Sequence, residues 1–364
     1  MKSRHFVLMA VVPLIVLFTR CQNKGGGSSE FIGVAFQGDR STNGAVGLFN
    51  IGADGTLAAA TTATLTAGQK VKHAISTPDG RFFYVTNFDS DTISQYSMKS
   101  KTPTALDPAN VDAQPGPTRM AVHPNSTYLY VSNYSNTTIS QYSINLNGTL
   151  TELVPPTVTA ASTVALAITS DGKYLYAAGQ NGIYQFSVGG SGVLTALTPA
   201  TVTIGVNIDE VIISPDDKRV YAVQPVTHRV HQFNIGLDGK LTSMTVNSVD
   251  TGGSGTAGIA ITPDNKWVYV VNSTTNNVSQ FAVSSATATP GALTALTPAT
   301  VAVGSDPVSI VVSSDSRYAY VANRGADTIS QFSIGIDGTL TALSPATISA
   351  PDANPTTMVR LKSN

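Results

Sequence analysis

Three side chains in this 364-residue sequence have the types needed to activate water against a carbonyl: His73, Arg119 and Glu210. A carboxylate or a neutral imidazole can take the proton of an attacking water, so Glu210 or His73 is the candidate general base. A guanidinium beside them can stabilise the oxyanion that develops, which is the role open to Arg119. Loops brought to the same end of the molecule add Asp209, Asp306, His228, Arg229 and Arg324 as ligand-binding candidates, with Asp39 and Arg40 nearby. The competing reading of the trio is an ion pair and polar plug that only closes a channel. No metal site is expected, because His123 and His231 lack ligand-like spacing to other donors and read as turn and strand residues. Neither a Gly-rich phosphate loop nor a nucleophile elbow is present, so no cofactor is expected.

These residues become neighbours only through the repeats that carry them. Tyr84, Tyr130, Tyr176, Tyr221, Tyr269 and Tyr320 recur at spacings of 46, 46, 45, 48 and 51 residues. Four of them open Tyr84-Val-Thr-Asn87, Tyr130-Val-Ser-Asn133, Tyr269-Val-Val-Asn272 and Tyr320-Val-Ala-Asn323. Gln95, Gln141, Gln185, Gln232, Gln280 and Gln331 follow in step, each before Tyr or Phe, and Thr195 to Val202 reappears unchanged as Thr294 to Val301. Asp54-Gly55, Asn147-Gly148, Asp238-Gly239 and Asp337-Gly338 mark hairpins between short alternating runs. Four strands per unit, at a period of roughly 40–50 residues, is the pattern of β-propeller blades.

Six whole repeats are visible and the ends supply a seventh. Phe31 to Leu57 carries strands two to four, and Thr357 to Leu361 carries a first strand with nothing after it. Joining them closes the ring and removes two open edges. The expected fold is therefore all-β: a seven-bladed β-propeller, four antiparallel strands per blade, closed by a composite blade from both termini. Tyr, Gln and Asn present in nearly every blade read as scaffold, with Asn bonding its own turn backbone and Tyr and Gln bridging blades. Function should sit where blades differ. Aligning each first strand on its following turn gives His73, Arg119, Ala165, Glu210, Gly258, Ser309 and Thr357 at one position. An apolar residue follows each, and strand alternation should send one of the two toward the channel mouth.

The chain divides into residues 1–21, 22–30 and 31–364. Lys2 and Arg4 precede an apolar run from Phe6 to Phe18, the layout of an export signal and short for a spanning helix. Cys21, the single cysteine, follows directly and precedes a Gly/Ser-rich tether. A lipid-modified Cys21 is expected, placing the protein in a bacterial cell envelope as an exported lipoprotein. Alternatives are an ordinary cleaved signal or an uncleaved anchor. Charged residues are 12% of the chain and the net charge is −1, with no basic stripe, so nucleic-acid binding is disfavoured.

The Tyr-Val-x-Asn repeats, with Thr77 to Arg81 and Ser214 to Arg219, resemble the YVTN-repeat and lactonase-type seven-bladed propellers over residues 31 to 361. That resemblance implies a group that includes 6-phosphogluconolactonases, carboxymuconate cyclases and surface proteins. His73 and Arg119 fall where its channel-facing polar residues lie. The sequence departs from the lactonase branch at Gly116-Pro117-Thr118-Arg119, where Gly-Pro-Arg-His is usual. It also departs at Phe88 and Tyr134, where an acidic residue is common.

Two function classes follow. One is a lactonase-like hydrolase acting on a small-molecule lactone or carbohydrate. The other is a non-catalytic envelope module binding an envelope protein or glycan across its top face. Quinone or electron-transfer chemistry is remote, since Trp267 alone offers no stacking platform.

Overall fold

The computed structural model describes residues 29–36, 43–98, 103–350 and 354–363. Cys21 and the segment around it, and Asp39 and Arg40, lie outside the described residues. The described strands form seven four-stranded antiparallel sheets, and one short 3-10 turn, Tyr134–Asn136, is the only helical element among them. The sheets are blades of a closed propeller. Blade 1 joins the C-terminal strand Pro355–Ser363 to the N-terminal strand Ser29–Phe36, followed by Asn43–Ile51 and Leu57–Gln69. Blades 2 to 7 follow in chain order, their first strands being Val71–Ser76, Pro117–Val122, Ala165–Ile168, Glu210–Ile213, Thr256–Ile261 and Pro307–Val312.

The repeated side chains sew blade to blade. Tyr84, Tyr130, Tyr176, Tyr221, Tyr269 and Tyr320 donate their phenol hydrogens to the next blade's last-hairpin carbonyls. The acceptors are Gly148, Gly192, Gly239, Gly291, Gly338 and Gly55, at 2.6–2.7 Å. Each repeated glutamine works in two directions. Gln141 Oε1 accepts the Leu194 amide of the next blade at 2.6 Å, while its Nε2 donates to Pro155 O at 3.0 Å in its own outer strand. That outer strand leaves the ladder around Pro155, where the register jumps between Ser140 and Tyr142. The glutamine fills the carbonyl valence that the bulge exposes.

The asparagines depart from expectation. Asn87, Asn133, Asn272 and Asn323 donate to Ser94, Ser140, Ser279 and Ser330 at 2.7–2.9 Å, across to strand three, and only Asn133 adds a longer bond to backbone there, Thr138 O at 3.3 Å. The Ser hydroxyl faces the Asn on the same side of the hairpin and is the nearer acceptor. Blade 5 replaces this pair with Gln224 and His231, whose Oε1 and Nε2 lie 2.6 Å apart.

Candidate functional site

All seven first strands begin at one face, around the central axis. The strand registers place the aligned residues at one level: His73 opposite Thr86, Ala165 opposite Ala178, Glu210 opposite Val223, Gly258 opposite Val271, Ser309 opposite Ala322 and Thr357 opposite Ala35. Simple alternation does not hold there. The register slips between Val71 and His73, between Pro117 and Met120, between Thr256 and Gly258, and between Pro307 and Ser309. In blade 5 the Asp209 amide bonds Val223 O at 3.1 Å although Glu210 is the residue paired with Val223. Each of these is a bulge, two residues against one, and it turns consecutive side chains toward the axis.

The bulges build two tiers. The outer tier is Lys72, Thr118, Val164, Asp209, Ala257, Val308 and Thr356, and every member lines a funnel of about 580 Å³ at the channel mouth. That volume is in the range of ordinary small-molecule sites. Beneath it a cavity of about 110 Å³ is lined by His73, Arg119, Glu210, Ser309 and Thr357, among others. Arg119 borders both spaces.

At the neck between them Arg119, from blade 3, reaches across to Glu210 of blade 5, Nη2 to Oε2 at 2.9 Å. Its Nη1 donates to Thr357 Oγ1 of blade 1 at 3.0 Å. Burial pushes the Glu210 carboxyl above the usual range; the Arg119 charge opposes this and neighbouring Asp209 reinforces it. His73 accepts the Met120 amide hydrogen of blade 3 on Nδ1 at 3.2 Å. Its imidazole is held well below the ordinary histidine value, first by burial and then by the Arg119 charge. A neutral ring with Nδ1 occupied as acceptor carries its proton on Nε2. His73 is thus a hydrogen-bond donor in this geometry, and the base role among the trio falls to Glu210. Ser309 does the same linking at the blade 7 to blade 1 junction, taking the Met358 amide at 3.0 Å.

The remaining candidates separate. Asp209 and Arg324 line the funnel. Burial raises the Asp209 carboxyl, against the pull of Arg119. Asp306 stands at the rim, paired with Arg324 at 2.7 Å. His228 and Arg229 do not line the funnel: His228 stands behind its wall, Nδ1 accepting the amide of the lining residue Gly255 at 3.3 Å, and Arg229 Nε donates to Ser248 in the outer strand at 2.9 Å. Among the described residues no three His, Cys, Asp or Glu side chains gather as a metal-holding group.

Sequence reasoning missed Lys70, Lys72, Phe88 and Tyr134, all on the funnel wall. Lys70 and Lys72 place their ammonium groups 4.8 and 5.7 Å from the Phe88 ring centre. Burial lowers the Lys72 amine, with Lys70, Arg119 and Arg324 adding to the effect. The available signal was adjacency: Lys72 precedes His73, and Phe88 and Tyr134 follow the Tyr-Val-x-Asn tetrapeptides.

The profile of the family described as "Lactonase, 7-bladed beta-propeller" matches residues 39–206 and 206–355. No curated protein matches the chain in sequence. Among solved structures, a Bacteroides fragilis protein described as a candidate 6-phosphogluconolactonase superimposes with a TM-score of 0.76 at 21% identity, covering 92% of this chain and 98% of that one. The Pseudomonas aeruginosa periplasmic gluconolactonase gives 0.76 at 19% identity, over 92% and 99%. A Lactobacillus plantarum protein gives 0.77 at 18%, over 92% and 99%. At these identities the structural likeness speaks for the fold.

Proposed function

The chain belongs to the lactonase family of seven-bladed β-propellers, and from that premise we propose that it hydrolyses a sugar-type lactone at the floor of the funnel. The observation that carries this reading is the Arg119–Glu210 pair, 2.9 Å apart across the channel between non-adjacent blades. The lactone ring would sit in the funnel with its carbonyl against Arg119. Glu210 takes a proton from a water as the water oxygen bonds the carbonyl carbon. The carbonyl oxygen becomes an oxyanion facing the guanidinium and the Nε2–H of His73. The tetrahedral carbon then expels the ring oxygen, which takes the proton back from Glu210, and a hydroxy acid leaves. The small cavity beneath has room for a few waters, at about 30 Å³ each.

We further propose that the protein works outside the cytoplasm, tethered by lipid on Cys21. The basic start, the apolar run from Phe6 to Phe18 and the position of the single cysteine support this.

One observation favours a second reading. Both outer guanidinium nitrogens of Arg119 are already engaged, by Thr357 and Glu210, as they would be in a plug under a binding face. Hydrolysis of a panel of sugar and acyl lactones decides between them. In the hydrolase, Glu210→Gln lowers kcat by about 10²–10⁴-fold while thermal unfolding stays cooperative. Absence of turnover by the parent protein on every lactone would favour the plug.

A further inference from the structure

The end of the propeller opposite the funnel has its own surface chemistry. The hairpins between the third and fourth strands gather there, and among the described residues five share one turn, closed by Gly55, Gly148, Gly192, Gly239 and Gly338 amides bonding back three residues. The second residue of that turn is Ala53, Leu146, Gly190, Leu237 and Ile336, in blades 1, 3, 4, 5 and 7. Ala and Gly serve at this position, so the turn itself does not call for a large aliphatic side chain. Yet Leu146, Leu237 and Ile336 stand 92%, 106% and 103% exposed. Single exposed aliphatics are ordinary, but these three are the same turn residue in alternate blades on one face. Val154, Val226, Val246 and Tyr134, the other exposed large apolar residues among those described, do not share that position.

The chain enters at this same end. Ser29–Phe36 is the second strand of blade 1, and second strands run from the hairpin end toward the funnel. Residues 1–28 therefore join the propeller on the face that carries the aliphatic tips, through blade 1, in the gap between blades 7 and 3. Three lysines near the tips are locally neutralised: Lys173, Lys240 and Lys266 pair with Asp171, Asp238 and Asp264 at 2.9, 2.9 and 3.3 Å.

The geometry points to a lipid bilayer surface as the occupant of this face: Leu146, Leu237 and Ile336 dip into the interface and hold the funnel mouth away from the membrane. The inference rests on the tether reading for its membrane and adds an orientation to it. Apolar tips of this kind insert shallowly, and anchoring is strong only when a second signal adds to them. Zwitterionic lipid, which carries no net charge, tests the apolar contact by itself.

The protein carries its own reporter. Trp267, the single tryptophan, lies directly under the Ile336 hairpin: a Cβ on Gly338 would come 2.3 Å from its indole ring. The full lipidated chain is mixed with phosphatidylcholine vesicles bearing headgroup spin labels, and flotation and Trp267 emission are measured. The expected result is flotation with quenched emission. Leu146→Ser/Leu237→Ser/Ile336→Ser should still float, held by lipid, yet lose the quenching. Equal quenching in parent and triple variant, or a floating parent with unquenched emission, overturns the inference. So does a lipid-free dimer of the parent that the triple variant dissolves, since the occupant is then a second copy. Failure of the tether reading shows separately: Cys21→Ser would float like the parent, or the parent would not float. In the latter case quenching of the parent and not of the triple variant at high vesicle concentration supports the face, and its absence overturns it.

Discussion

Six junctions of the ring carry the Tyr and Gln links, and the junction from blade 1 to blade 2 is built from other residues. Where Tyr84 stands in blade 2, the register puts Gly33 in blade 1, and where Gln95 stands it puts Leu48. Neither can reach into blade 2 with a hydrogen bond. The space is filled by a buried apolar cluster including Phe31, Leu48, Phe83, Val85 and Met98. A repeated junction carries the Tyr and Gln bonds; this one lacks both, and apolar burial stands beside other directional bonds, from the Tyr96 hydroxyl to Thr66 O at 2.6 Å and from the Gly68 amide to Asn87 Oδ1 at 2.9 Å. It lies beside the blade that the two termini close, where the chain is not the copy of a neighbouring repeat. The Tyr and Gln links therefore stop where the blade 1 strands depart from the repeat, and apolar packing fills the space those two side chains take elsewhere.

Substitutions can break that contrast. The largest effect is expected at the apolar junction: Leu48→Ala should cost about 3 kcal/mol of unfolding free energy in urea, since a buried cavity adds to the lost transfer energy. Importing the blade 1 solution into a repeated junction should cost less. Gln280→Leu leaves the Leu340 amide and Pro298 carbonyl without partners at about 2 kcal/mol. If instead it is neutral, the glutamines act by filling space and the contrast disappears.

The smallest effect is a pH slope. The unfolded His73 binds a proton near pH 6.5, whereas in the fold it does so only at lower pH. Between those values the unfolded chain holds more protons, so stability falls as pH drops through that window and is fully kept above it. His73→Ser borrows the residue that makes the equivalent link at the blade 7 to blade 1 junction. It should flatten the slope of urea midpoint against pH, leaving the part due to His231, which burial also lowers, opposed by Asp209 and Glu210, whose carboxyls are raised.

Much of this was legible in the sequence because a repeat states each contact several times. The Tyr and Gln spacings give blade number, the unmatched ends give the composite blade, and the turn alignment puts His73, Arg119 and Glu210 at one level. Strand alternation was the step that failed. A bulge leaves little trace in side-chain pattern, so of the outer tier only Asp209 stands out in the sequence while Lys72 does not, and His228 and Arg229 look like funnel residues although neither lines it.

By itself, then, the sequence determined the architecture and the level of the polar residues, since local turn chemistry and periodic burial are written residue by residue. Tertiary structure alone decided that Arg119 meets Glu210 across the axis and that His73 gives its Nδ1 to the next blade. It also decided that the Leu146, Leu237 and Ile336 tips share a face with the strand that leads in from the N-terminus. Those outcomes depend on ring closure and strand polarity, which bring residues together from blades that are not neighbours in the chain.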